Sequence, residues 1–270
     1  KHIERGPGQN MQVTIKKTVR KILPKTMMEA LVYLKHSRSR LPNHEVYAAY
    51  VAGKKGIEIG GPSMVFKTTL PLYQKINDLD GVNFSANTVW EGRIRSGRHF
   101  NFIGSKKGMQ FVAEASDLSA ITSQSYDFLL SSNCLEHVAN PLKALMEWKR
   151  VIKPGGTLIL VLPNKASNFD HKRPTTRLTH LVEDFEKCTS ENDLTHLDEI
   201  LAFHDLSMDP PAGNLEQFRA RSLDNFHNRT LHHHVFDLNL MRLMLAHAGF
   251  EVLETTETRT DFFALAKKTQ

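Results

Sequence analysis

The sequence predicts an α/β fold built on a mostly parallel sheet. Three observations carry that expectation. Strand-like and helix-like segments alternate along residues 54–162 and return after residue 237. The most hydrophobic run, TLILVL at 157–162, lacks polar alternation, as a strand buried on both faces does. Glycine turns close a strand at Gly60-Gly61 and stop a helix at Pro154-Gly155-Gly156.

Each element follows from its residues. Residues 26–38 read as a short helix, with Met27, Leu31 and Leu34 at helical spacing. Residues 54–60 (KKGIEIG) read as a first strand. Pro71 and the glycine-containing stretch 92–108 argue against one long helix in that region. Residues 109–113 (MQFVA) and 126–131 (YDFLLS) are further strands. Residues 141–153 are helical, with Leu142, Leu145, Met146 and the run 148–152 on the apolar side. Residues 237–248 form a late amphipathic helix closed by Gly249, and 250–254 and 261–266 read as a terminal pair of strands. Residues 163–236 interrupt this order. They are long, polar, rich in His and Asp, and include the turn Asp209-Pro210-Pro211-Ala212-Gly213. An insertion of that size is more often a functional cap than an idle loop. The expected organisation is a basic arm over 1–40 and one domain over 41–270, with a cap at 163–236.

Composition removes several classes. The chain has 270 residues, 40% hydrophobic and 24% charged, which excludes a collagen-like, low-complexity or wholly disordered protein. No run approaches the ~20 apolar residues that a bilayer-spanning helix needs. Cys134 and Cys188 are the only cysteines and form no CxxC, so a disulfide scaffold and a four-Cys zinc site are excluded. They read as free thiols of a cytoplasmic protein. The net charge is +6, but residues 1–40 hold ten Lys/Arg against two Asp/Glu, leaving the body nearly balanced. An enzyme of nucleic acids usually spreads a basic stripe over its site, so a nucleic-acid partner is disfavoured. The arm reads as a solvated helix or as a contact for a membrane surface or an acidic partner. A secretory signal is excluded because Lys16, Lys17, Arg20, Lys21, Lys25 and Glu29 break its apolar core; a transit peptide stays open. Residues 1–10 read as unstructured, and Met11 is a candidate start.

Two motifs carry chemistry. GIEIGGPS (56–63) places an acid on a strand and glycines in the turn after it. Such glycines let backbone N–H groups approach a ligand, and the acid suits a ribose or an amine. It is neither GxGxxG nor a P-loop, and a plain strand-to-loop turn remains an equal reading. The second motif, YDFLLSSNCLEHVANPLKALMEWKRVIKPGGTLILVL (126–162), places Ser131, Ser132 and Asn133 just past a strand's C-terminal end, where α/β sheets hold ligands.

That stretch closely resembles class I S-adenosylmethionine-dependent methyltransferases, in the group with the ubiquinone- and menaquinone-biosynthesis enzymes. The resemblance covers about residues 54–163. It implies a Rossmann-like, mostly parallel seven-stranded sheet with helices on both faces. It implies S-adenosyl-L-methionine as cofactor and S-adenosyl-L-homocysteine as product. By the same resemblance Glu58 helps hold the methionine end, with Gly60 and Gly61 as the turn beneath it. Pro62 and Ser63 stand where the family usually continues GxGxG, so this loop departs from the pattern. Asp80 is the implied acid for the ribose hydroxyls, with Asp78 its neighbour. Glu114 and Ala115 match the pair that frames adenine, with Asp117 close by. Ser132 and Asn133 match residues that line the methionine moiety.

Methyl transfer to oxygen requires a base, and histidine is the default near neutral pH. His137 resembles the histidine of the family's LEH motif, which serves as base or as a brace of the helix. The insertion adds Asp170, His171 and His233 as catalytic candidates; nine of the 14 histidines lie between 171 and 247. Converging His and Asp leave a divalent metal open without favouring it, since no stereotyped spacing is present. No metal ligand is assigned. Arg173, Arg177 and Arg221 suit a substrate carboxylate or phosphate, or are solvated cations. NFS…TVWEG, FDHKRP, LTHLDEIL and HHHVFD resemble features of a recurring bacterial methyltransferase subgroup. The expected activity is methyl transfer to a hydroxyl of a small hydrophilic or glycan-type substrate. The alternatives are an amine such as an aminosugar nitrogen, RNA, or a non-catalytic module that has kept the fold.

Overall fold

The computed structural model describes residues 40–269. The helix expected over 26–38 and nearly all of the basic arm lie outside the described residues. The first helix among the described residues, α1 (His44–Val51), precedes strands β1 (Lys55–Ile59) and β2 (Asp78–Asn83). A two-stranded hairpin, β3 (Asn87–Thr88) and β4 (Gly92–Arg93), leads to β5 (Gly97–Ile103) and β6 (Lys106–Val112). Then follow β7 (Tyr126–Ser132), α2 (Pro141–Val151) and β8 (Ile152–Pro163). The insertion holds α3 (Leu178–Glu186), α4 (Leu197–Phe203), α5 (Leu215–Leu223) and α6 (Asn225–Asn228). The chain returns through α7 (Leu238–His247) to β9 (Phe250–Glu257) and β10 (Asp261–Lys268).

The sheet runs β5-β6-β2-β1-β7-β8-β10-β9. Its five middle strands, β6 to β8, are parallel. β10 and β9 close one side antiparallel, as the terminal strand pair predicts. The sheet has eight strands, one more than the seven expected. The extra strand is β5, antiparallel on the far edge, in the stretch 92–108 that carried no strand prediction. Its signal was Phe100 and Phe102, two apolar residues at strand spacing, both buried. β2, DLDGVN, is poorly marked in sequence because pairing on both sides, not propensity, makes it a strand. Phe100 lies over it so closely that a Cβ at Gly81 would sit 2.1 Å from the ring.

Alternate residues of β8 serve two cores. Leu158, Leu160 and Leu162 pack with α2 and α7. Ile159 and Val161 pack on the opposite face with Tyr47, Ala48 and Val51 of α1, and with Phe66, Leu70 and Leu72 from the turns between β1 and β2. Both faces therefore carry helix. The insertion keeps a small core of its own around Ile200, Ala212, Phe218 and Leu231.

α2 shows how sequence places the site. Asn140 caps it by accepting from Lys143 N at 3.0 Å, and Pro141 starts its first turn. Trp148, fully buried, donates its indole N–H to the Ala115 carbonyl at 2.9 Å. Arg150 donates to the carbonyls of Leu118 and Ile121. One helix thus pins the loop that follows β6. Among the described residues no helix is long and apolar enough to cross a membrane.

Candidate active site

A cavity of about 550 Å³ opens at the C-terminal ends of β1, β2, β6 and β7, where parallel sheets of this type hold ligands. Gly60, Pro62 and Ser63 form one wall. Gly60 has φ +81°, and a Cβ there would also press on Cys134 Sγ at 2.9 Å, so both backbone and space demand glycine.

Glu58 is buried beneath this loop rather than in the cavity wall. It accepts from Ser63 N at 3.0 Å, Ser63 Oγ at 2.7 Å and Tyr73 OH at 2.6 Å. Burial pushes its carboxyl up to about 7, although the donors from Tyr73 and Ser63 pull against that. The carboxyl fills the space a side chain at residue 61 would need: a Gly61 Cβ would lie 2.2 Å from it. Glu58 and Gly61 therefore shape the loop, and Ser63 presents it.

The far side of the cavity is set by β6 and its loop. Ala113, Glu114 and Ala115 line it, held by α2 through Trp148. Arg229, from the insertion, donates to Glu114 at 2.7 Å and pairs with Glu191 at 2.7 Å. Its guanidinium lies 5.1 Å over the Phe84 ring. Burial pushes Glu191 up to about 7 despite the Arg229 charge.

The third side carries His137, in the single 3-10 turn Leu135–His137 after β7. Asn133, with φ +48°, turns the chain into it. His137 Nδ1 lies 3.0 Å from the Leu231 carbonyl. A carbonyl only accepts, so Nδ1 carries the proton and Nε2 keeps its lone pair. Burial, reinforced by the charge on His232, holds His137 well below the usual histidine range. The ring is therefore neutral near pH 7. Trp90 lies against it with ring centres 5.2 Å apart. Behind it, His232 sits 4.6 Å away and pairs with Asp170 at 2.5 Å. Burial disfavours charge on both partners, yet each favours the other's charge: His232 is raised, and Asp170 is lowered to about 2 with help from Arg173.

Residues 67–160 match the family model described as a methyltransferase domain. The matched stretch runs from the turns after β1 into β8. No curated protein sequence matches the chain. A solved S-adenosylmethionine-dependent methyltransferase from Mesorhizobium loti is similar at 11% identity and TM-score 0.50, covering 84% of this chain and 96% of its own. One from Aquifex aeolicus gives 15% identity and TM-score 0.49, covering 91% and 98%. The Mesorhizobium likeness shows the fold: a Rossmann-like α/β methyltransferase sheet.

The cavity gathers Gly60, Pro62, Ser63, Glu114, Ala115, Ser132 and Asn133, all named from sequence. Three of the implied cofactor residues are elsewhere. Glu58 lies beneath the loop, and Gly61, within the loop, faces its carboxyl. Asp80 is buried in mid-strand, accepting from Met109 N at 2.7 Å and Tyr126 OH at 2.8 Å. The end of β2 is Asn83, whose amide donates to the Gly61 carbonyl at 3.0 Å and which does line the cavity. Asp80 thus does not reach the cavity, and Asn83, three residues later at the strand's end, does.

Of the catalytic candidates, His137 alone lines the cavity. Asp170 reaches it only through His232. His171 lies on the outer side, 2.9 Å from Asp205. His233 is buried, its Nε2 3.1 Å from the Asn225 amide. Arg173 is buried against Asp170, and Arg221 pairs with Asp209. Sequence reasoning missed Lys67, Asn83, Trp90, Glu91 and Arg229 as wall residues. NFS and TVWEG had been singled out as a motif without a role, so Asn83, Trp90 and Glu91 were visible there. Arg229 had no signal.

Proposed function

We propose that this S-adenosylmethionine-dependent methyltransferase delivers its methyl group to a hydroxyl of a small hydrophilic or glycan-type acceptor. The wall chemistry fits the cofactor. Val82, Ala113 and Ala115 offer an apolar slot for a purine, with Glu114 at its edge; Asn83 and Glu91 suit ribose hydroxyls; Ser132, Asn133 and the Gly60 turn suit an amino-acid end. When bound, the cofactor supplies an electrophilic methyl on sulfonium. The chain's own task is alignment, since an in-line displacement gains most from holding nucleophile and methyl together.

The observation that carries the hydroxyl reading is the tautomer of His137. Its Nδ1 is committed to Leu231, so the ring in the cavity wall has Nε2 free to take the acceptor's proton. Trp90 adds an exposed flat face beside it, suited to the C–H face of a sugar ring. The runner-up is an amine acceptor. Glu91 and the Trp90 face would attract a cation, and an amine needs less help from a base. The motifs FDHKRP and HHHVFD support a reading of the chain as one of the subgroup they mark.

The test is transfer of radiolabelled methyl from S-adenosylmethionine to panels of sugars, small hydroxylated molecules and aminosugars. Label on oxygen supports the reading. Label on nitrogen, with the His137→Gln variant keeping most of the rate, selects the amine. No label on either panel, with S-adenosylhomocysteine binding intact, overturns the acceptor class.

A further inference from the structure

Four side chains of the insertion converge away from the cavity. His180 and Asp184 are one turn apart on α3, so they share a face. His196 immediately precedes α4, and His234 lies in the strap 229–236. One potential ligand atom from each lies within 4.8 Å of all the others. His180 Nε2 is 2.9 Å from His196 Nε2 and 3.4 Å from Asp184 Oδ2; His234 Nε2 is 3.7 Å from the same oxygen. Ligand atoms around one tetrahedral zinc ion, at bonds of about 2.0–2.1 Å, lie about 3.3 Å apart. The cluster already has nearly that size.

Its polar accounting points the same way. Asp184 Oδ1 is used by Thr189 at 3.0 Å, and Asn140 holds the Asp184 backbone carbonyl at 2.8 Å. Asp184 Oδ2 has no hydrogen-bond donor, although the side chain is only 9% exposed. His234 Nδ1, on a ring 1% exposed, is also without a partner, and its Nε2 touches the Ala139 carbonyl at 3.2 Å. The orphaned Asp184 Oδ2 is costly unless something else satisfies it, and a metal would take one nitrogen of His234, not both.

We propose that His180, Asp184, His196 and His234 bind one zinc ion in a closed, structural site. Three imidazoles and a carboxylate are a borderline donor set suited to zinc. Four protein ligands leave no open position for chemistry. The ion ties α3 and the approach to α4 to the strap, which carries Arg229 into the cavity wall and presents the Leu231 carbonyl to His137.

The test uses the full-length untagged chain, grown with zinc and dialysed, with metal measured by plasma mass spectrometry. One zinc per chain is expected, falling at least tenfold in Asp184→Asn and His196→Gln. The cobalt-substituted wild type should show the intense visible bands of tetrahedral cobalt, a readout independent of whether any variant folds. A strong chelator should lower Tm, and zinc should restore it. Zinc far below one per chain in the loaded wild type, or octahedral cobalt spectra, overturns the proposal. So does metal retained in both variants, or metal lost only in His232→Gln, which would move it to the Glu136, His137 and His232 cluster.

Discussion

His137 and Leu231, 94 residues apart, are joined by one hydrogen bond of 3.0 Å that fixes which nitrogen of the histidine carries the proton. A strap of the insertion thereby sets the tautomer of a side chain in the cavity wall. Replacing His137 by Gln should lower kcat for a hydroxyl acceptor by about 10²–10⁴-fold, the usual range for a general base. Calorimetric affinity for S-adenosylhomocysteine should stay within a few-fold. A comparable loss in both would make His137 a brace rather than a base.

The same residue sets a pH limit. Because burial and His232 hold His137 below the usual histidine range, its base form persists as pH falls. The acidic limb of kcat/KM should therefore lie below about pH 6.5, the ordinary histidine value. A limb at or above that pH would show that another group titrates.

Glu58 gives a stability prediction. Its folded carboxyl is raised to about 7, above the unfolded value. A raised acid stabilises the fold fully below its unfolded pKa and loses that contribution as pH rises through the folded one. Between about pH 4.5 and 7 the wild type should lose stability relative to Glu58→Gln, by about 3 kcal/mol when the whole shift is expressed. Urea unfolding of both proteins at pH 5, 6, 7 and 8 checks this. Parallel curves would show that Glu58 does not titrate in that window.

Arg229 joins two carboxylates and lines the cavity. Removing it leaves Glu191 buried without its cation, so Arg229→Met should destabilise by about 3–5 kcal/mol near pH 8. The loss should shrink toward pH 5, where Glu191 takes a proton. Chemical denaturation at the two pH values distinguishes this from simple loss of packing, which would cost the same at both.

Trp148 holds the Ala115 loop from behind. Trp148→Phe keeps most of the packing but frees the carbonyl, and should cost about 1–3 kcal/mol. Affinity for S-adenosylhomocysteine should fall several-fold although residue 148 is not in the cavity wall. Unchanged affinity would mean that Arg150 alone holds the loop.

Much of this architecture is local and therefore legible. The apolar run of β8, the Asn140-Pro141 start of α2 and the glycine turn after β1 each declare themselves within a few residues. β5 and β2 did not. β5 hides a two-phenylalanine alternation among polar residues, and β2 owes its extended form to neighbours on both sides. Without the strand's end, the sequence does not tell which of residues 78–83 reaches the cavity.

The sequence by itself determined the alternation of strands and helices, the methyltransferase-like motifs and the loop residues that meet at the strand ends. Those features depend on periodicity and on turns, which act over a few residues. Only the tertiary structure decided which of many histidines reaches the cavity, why His171 and His233 do not, and that Arg229 closes one wall. These depend on contacts between segments tens of residues apart. A histidine's role follows from what its two nitrogens touch, and those partners exist only once the chain has folded.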